Sequence, residues 1–82
     1  MADMKLLRSG ITDDSRYFML EAGTLSPGQW EAWFACFRVT NRVGVGSTSP
    51  TLRVAKSVAD LEQWAAGLTD AQLRELAAKY CP

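Results

Sequence analysis

Apolar and polar positions follow two different periods along this chain, and the change comes at Ser57. Before it, apolar residues come in short runs broken by turn residues, as strands do. Residues 4–9 predict a first strand, and residues 16–21, Arg-Tyr-Phe-Met-Leu-Glu, a second. The densest apolar stretch, Trp30 to Val39, fits a central strand with two apolar faces. It also fits a helix, because Trp30, Trp33, Phe34 and Phe37 fall at i, i+3, i+4 and i+7. Ser26-Pro27-Gly28-Gln29 would then supply a cap, a first-turn proline and a capping-box glutamine. The strand is preferred, since Trp, Phe, Cys, Val and Thr favour strands and Ser-Pro-Gly is ordinary turn chemistry. Residues 23–28 then form a hairpin loop. A glycine- and serine-rich connection runs from Asn41 to Pro50, within which Val43 and Val45 could pair, and residues 51–56 predict a fourth strand.

From Ser57 the period becomes helical. Ser57 caps a helix with Asp60 at N3, its stripe is Val58, Leu61, Trp64 and Ala65, and Gly67 ends it in a Schellman arrangement. Thr69-Asp70-Ala71-Gln72 repeats the capping pattern and opens a second helix with Leu73, Leu76, Ala77 and Tyr80 inward. Leu61, Trp64, Leu73 and Leu76 are the expected helical core. Strands first and helices last predict a single α+β domain over residues 1–82: an antiparallel sheet of three to four strands with two C-terminal helices packed on one face. Two short helices cover one face and leave the other open.

Strand parity assigns the faces. One set holds Arg16, Phe18, Leu20, Phe34, Cys36, Arg38, Thr40, Thr51 and Arg53. The other holds Tyr17, Met19, Trp33, Phe37, Val39, Leu52 and Val54, and carries no charge until the strand ends. The second set is therefore expected to be the core. The first becomes an open, basic and apolar face, with Arg16, Phe18, Leu20, Phe34, Arg38, Thr40 and Arg53 as partner-binding residues. Arginines on a sheet also serve as solvated spacers over apolar surface.

Nine basic and nine acidic residues leave no net charge, which disfavours bulk electrostatic attachment to DNA or membranes. No apolar run is long enough to span a bilayer, and the first residues lack a signal-peptide core. The chain has no histidine, the commonest general base and metal ligand. Asp13-Asp14 sits in a turn, Gly44-Val45-Gly46 lacks the rest of a phosphate loop, and no metal-ligand cluster is evident. No catalytic residue, cofactor or metal is expected. Cys36 and Cys81 are too few for a disulfide framework, so free thiols in a cytoplasmic protein are the expectation, with Cys36 a small sheet residue and Cys81 incidental. The helix pair makes a poor DNA reader, since Asp70 and Glu75 accompany Arg74 and Lys79. Aromatics on a basic sheet could instead stack single-stranded nucleic acid.

The segment Ser57-x3-Leu61-Glu62-x-Trp64-x2-Gly67-Leu68 resembles one in the small type I-F-like anti-CRISPR proteins. Met4-Lys5, Glu21-x-Gly23 and Arg38-Val39-x-Asn41 are further similarities, as is the order of strands and helices. The resemblance implies a non-enzymatic phage or mobile-element inhibitor that binds a Cas subunit of a type I surveillance complex in the bacterial cytoplasm. In that family the open sheet face makes contact through tyrosines and a glutamate. The matching positions here are Ser9, Leu20 and Thr40, none of which keeps the family's residue. A single-stranded nucleic-acid binder and a homodimerising accessory protein are the alternatives.

Overall fold

The computed structural model describes residues 4–12, 16–40 and 43–81. Expectations placed on Asp13, Asp14, Asn41 and Pro82 fall outside those residues. The elements are β1 (Met4–Ile11), β2 (Tyr17–Ser26), β3 (Gln29–Thr40), β4 (Val43–Thr48), β5 (Arg53–Ala55), α1 (Val58–Ala66) and α2 (Asp70–Tyr80). The sheet is antiparallel in the order β1-β2-β3-β4, with β5 also on β3, so the α+β expectation holds.

The Trp30 stretch is a strand, the longest in the chain. The hairpin before it is tighter than a six-residue loop. Ser26 pairs with Gln29, leaving Pro27-Gly28 as the turn, with Gly28 at φ 76°. Proline followed by a positive-φ glycine suits a type II turn. β2 therefore runs five residues past Glu21, which lies mid-strand.

The fourth strand expected over residues 51–56 shortens to β5, and the connection before it pairs as β4 through Val43 and Val45. β4 pairs with the second half of β3 and β5 with the first half, so both lie along the same edge. Residues 49–52 between them stand opposite residues 33–34. Ser49 bridges this bulge: its amide donates to the Phe34 carbonyl at 2.8 Å, and the Phe34 amide donates to Ser49 Oγ at 2.9 Å. Pro50, which could not donate to a ladder, sits inside the bulge.

The core lies on the face expected to be open. Phe18, Leu20, Ala22, Ala32, Phe34 and Cys36 are buried together with Leu61 and Ala65 of α1 and Leu73 and Ala77 of α2. The pairs Phe18–Cys36, Leu20–Phe34 and Ala22–Ala32 are directly opposite, so bulky and small side chains share the layer beneath the helices. Phe18 and Phe34 meet edge to face with centroids 5.6 Å apart. Gly10 pairs with Phe18, and a Cβ at Gly10 would come within 2.7 Å of that ring. Parity chose the wrong face because the second strand was ended at Glu21. With β2 extended to Ser26, Glu21 falls mid-strand, and Gly23 pairs with Glu31, so both carboxylates stand on the face expected to be core.

Both helices begin as expected. Ser57 Oγ accepts from the Asp60 amide, and Thr69 with Gln72 forms a full capping box. Leu61 and Leu73 are fully buried, while Trp64 and Leu76 pack partly buried against the core. The Schellman ending is not present: Gly67 has φ −78° and its amide returns to the Gln63 and Trp64 carbonyls. Arg8 takes over at this junction. Its Nη1 donates to the carbonyls of Ala65 (2.8 Å) and Leu68 (2.9 Å), and its Nη2 to Asp70 Oδ1 (2.9 Å). A bulge at Leu7 turns Leu7 and Arg8 toward the helix layer together. Lys5, farther along the same strand, pairs with Glu62 of α1 at 3.1 Å.

The cysteines are not free. Cys36 and Cys81 form a buried disulfide with Cα atoms 5.8 Å apart, tying the end of α2 to β3. Cys81 looked incidental because nothing local marks it. Its role depends on α2 running its full eleven residues back across the sheet.

Candidate functional site: the uncovered sheet face

The expected partner-binding residues do not assemble into an open basic face. Phe18, Leu20 and Phe34 are at most 1% exposed and lie beneath the helices. Arg38 is exposed, but it shares parity with Cys36 and projects on the helix side of the sheet. Arg53, also on that side, places its guanidinium 5.5 Å from the centre of the Trp64 ring, a cation–π distance. Arg16 is half-buried just before β2, where its amide donates to Thr12 Oγ1. Thr40 pairs with Val43 through the backbone, and its side chain lies outside the described residues.

The opposite face is the uncovered one. Strand register puts Met4, Leu6, Ser9 and Ile11 of β1 beside Gly23, Glu21, Met19 and Tyr17 of β2. Those in turn neighbour Glu31, Trp33, Ala35 and Phe37 of β3. Val54 of β5 completes the face beside Glu31. Seven large apolar side chains among the described residues are strongly exposed, and all but Leu25 sit on this face: Met4, Leu6, Ile11, Tyr17, Phe37 and Val54. Scattered apolar exposure needs no explanation, but a concentration of it on one face is unusual for a small domain.

The face has two ends of different character. At one end, Ile11, Tyr17 and Phe37 form a cross-strand row. Phe37 lies across Gly46, where a Cβ would approach the ring to 3.1 Å. This end is apolar and aromatic. The other end is acidic. Glu21 pairs with Trp33, Gly23 pairs with Glu31, and Met4 flanks Gly23 on its other side. Missing a side chain, Gly23 leaves a dent in the face, and a surface depression is found there, bordered by Met4, Glu21, Glu31 and Trp33. Glu31 is fixed by Thr51, whose Oγ1 donates to its Oε1 at 2.8 Å. Glu21 is half-buried and takes part in neither of the ion pairs among the described residues.

The second parity set holds Tyr17, Met19, Trp33, Phe37 and Val54 of this face but not Glu21, Gly23, Glu31 or any β1 residue, and its Leu52 packs against the core instead. Ending the second strand at Glu21 puts that carboxylate at a terminus, whereas β2 runs on to Ser26 and holds it mid-strand. Among the described residues no three His, Cys, Asp or Glu side chains gather into a group that could hold a metal ion, and no helix is long and apolar enough to cross a membrane. Comparison of the chain with protein-family models, with curated proteins and with solved structures finds no match.

Proposed function

We propose that this chain is a non-enzymatic protein-binding domain that docks through its uncovered sheet face. Its specific role in this reading is that of a phage or mobile-element anti-CRISPR protein, binding a Cas subunit of a type I surveillance complex in the bacterial cytoplasm. The observation that carries the binding reading is the gathering of Met4, Leu6, Ile11, Tyr17, Phe37 and Val54 on one face of an 82-residue domain. The anti-CRISPR assignment rests on the resemblance of the Ser57–Leu68 segment and on the order of the elements. The face that does the work is the one with Tyr17, Trp33 and Phe37, opposite to the face the arginines suggested.

Its charge argues against nucleic acid as the occupant. Glu21 and Glu31 on the docking face would repel a phosphate backbone, and base-stacking proteins combine their aromatics with basic residues. The test is direct: express the protein in a strain with an active type I system, measure phage plating, and measure binding to the purified surveillance complex. The reading expects restored plating and a stable complex. Failure of both, together with a single-stranded DNA or RNA shift that falls steeply with salt, would replace it with the nucleic-acid reading.

A further inference from the structure

We propose that the acidic end of the uncovered face is a seat for one lysine or arginine side chain of a protein partner. The proposal rests on the protein-binding reading above and deepens it by stating the partner's chemistry. The depression at Gly23 is lined by Met4, Glu21, Glu31 and Trp33 together with Thr24, Thr48 and Ser49, so its rim mixes apolar, acidic and hydroxyl groups. Met4 and the Trp33 ring are apolar walls that suit the methylene stem of a long basic residue. Glu31, across from Gly23, and Glu21, two residues before it on the same strand, both line the depression and would receive its charged head, and the indole adds a cation–π surface.

Charge complementarity selects this occupant over the others. The strand positions on the uncovered face carry Glu21 and Glu31 and no basic residue; Lys5, Arg8, Arg38 and Arg53 all project on the helix side. A second copy docking by the same face would bring two more carboxylates to the seam and no cation to meet them. Like charges desolvated together disfavour that association. An apolar partner without a base would bury Glu21 unpaired, which is costly for a carboxylate. A partner with a lysine or arginine set among apolar residues answers both halves of the face.

A random twelve-residue peptide library displayed on phage, selected against the folded protein, tests this. The wild type should enrich lysine or arginine flanked by aliphatic or aromatic residues. The enriched peptide should shift the Trp33 indole N–H resonance and leave that of Trp64, on the far side of the sheet, in place. Glu21→Lys should weaken that peptide at least tenfold, roughly the effect of replacing attraction by repulsion at a partly desolvated site, and should redirect selection toward aspartate or glutamate. Gly23→Val, which fills the dent at a position without positive φ, should weaken it without changing the charge. Circular dichroism and melting temperature close to wild type verify that both variants are folded. Selection with no preference for basic residues overturns the proposal, as does a basic peptide whose affinity is unchanged by Glu21→Lys. If the surveillance complex binds the wild type and Glu21→Lys equally well, the seat is wrong while the protein-binding function stands. If basic peptides bind as described but no surveillance complex does, the seat stands and the anti-CRISPR assignment falls.

Discussion

Under the helices Phe18 crosses Gly10 and Leu20 lies opposite Phe34; on the other face Phe37 crosses Gly46 and Trp33 lies opposite Glu21. Each face thus uses a glycine to let a phenylalanine lie flat across a neighbouring strand, and each is rich in apolar side chains. What separates them is size and polarity at the centre. The covered face alternates large residues with Ala22, Ala32 and Cys36, which lets two helices approach closely, and two of its arginines engage the helices: Arg8 at the α1–α2 junction and Arg53 against Trp64. The uncovered face carries Glu21 mid-strand and Glu31 beside Gly23, where a helix laid over them would bury two carboxylates with no cation to meet them. Hydrophobic content does not decide which face becomes the core. The fit of small against large, and the position of the nearest charge, do.

The sharpest way to break this comparison is to truncate matched residues on the two faces. Phe34→Ala removes a fully buried ring that packs against Phe18 and should cost about 3–5 kcal/mol, the usual range for such a deletion in a core. In so small a domain that approaches the whole folding free energy, so the variant should be largely unfolded by circular dichroism. A Phe34→Ala protein that melts within a few degrees of wild type would mean the helices do not seal this face.

Reduction of Cys36–Cys81 comes next. Closing a loop of 45 residues restricts the unfolded chain by about 4 kcal/mol in the loop-entropy account, and measured losses usually fall between about 2 and 4. Denaturation followed with and without reductant, and in Cys36→Ala/Cys81→Ala, should show that loss. Because the bond holds the far end of α2, hydrogen exchange should rise first in α2 and leave β2 and β3 protected. Equal stability of the oxidised and reduced protein would show that Leu73 and Ala77 alone are enough to dock the helix.

Local chemistry was legible in the sequence, and long-range pairing was not. The caps at Ser57 and Thr69, the strand character of Trp30 to Val39 and the order of elements all follow from neighbouring residues, and the structure has them. The Cys36–Cys81 bond joins residues 45 apart, and Arg8 reaches Asp70 across 62 positions, so neither leaves a local trace. The candidate site was lost through one boundary. Ending β2 at Glu21 moved a mid-strand carboxylate to a terminus and made the acidic face look like the better core. Parity fixes which residues share a face, but which face the helices take depends on where each strand ends.

Arg8→Ala probes the junction that glycine was expected to close. It removes three charge-assisted hydrogen bonds to Ala65, Leu68 and Asp70, two of them to part-buried carbonyls. A loss of about 1–3 kcal/mol is expected, the cost of leaving such acceptors unmet. Arg8→Lys should recover only part of it, because a single ammonium cannot span three acceptors in fork geometry. Full recovery with lysine would reduce the clamp to simple charge attraction with Asp70.

The smallest stability effect should come from Phe37→Ala, and for that reason it is the most informative about function. Phe37 stands on the uncovered face at 38% exposure, with Gly46 on one side and Tyr17 on the other. Its ring touches no helix residue of the buried cluster, so truncation loses only cross-strand contact, worth about 0.2–1 kcal/mol. The melting temperature should fall by a few degrees at most. Binding should respond differently. On the proposed reading, a half-exposed aromatic at the apolar end of the docking face is the kind of residue whose loss costs about 2 kcal/mol or more in affinity, a drop of more than tenfold that calorimetry with the proposed partner would register. The ratio of the two effects is the test. A variant that loses binding while keeping its fold places the work of Phe37 in an interface. One that loses stability in proportion to binding would make Phe37 a second core residue and the uncovered face merely an unfinished one.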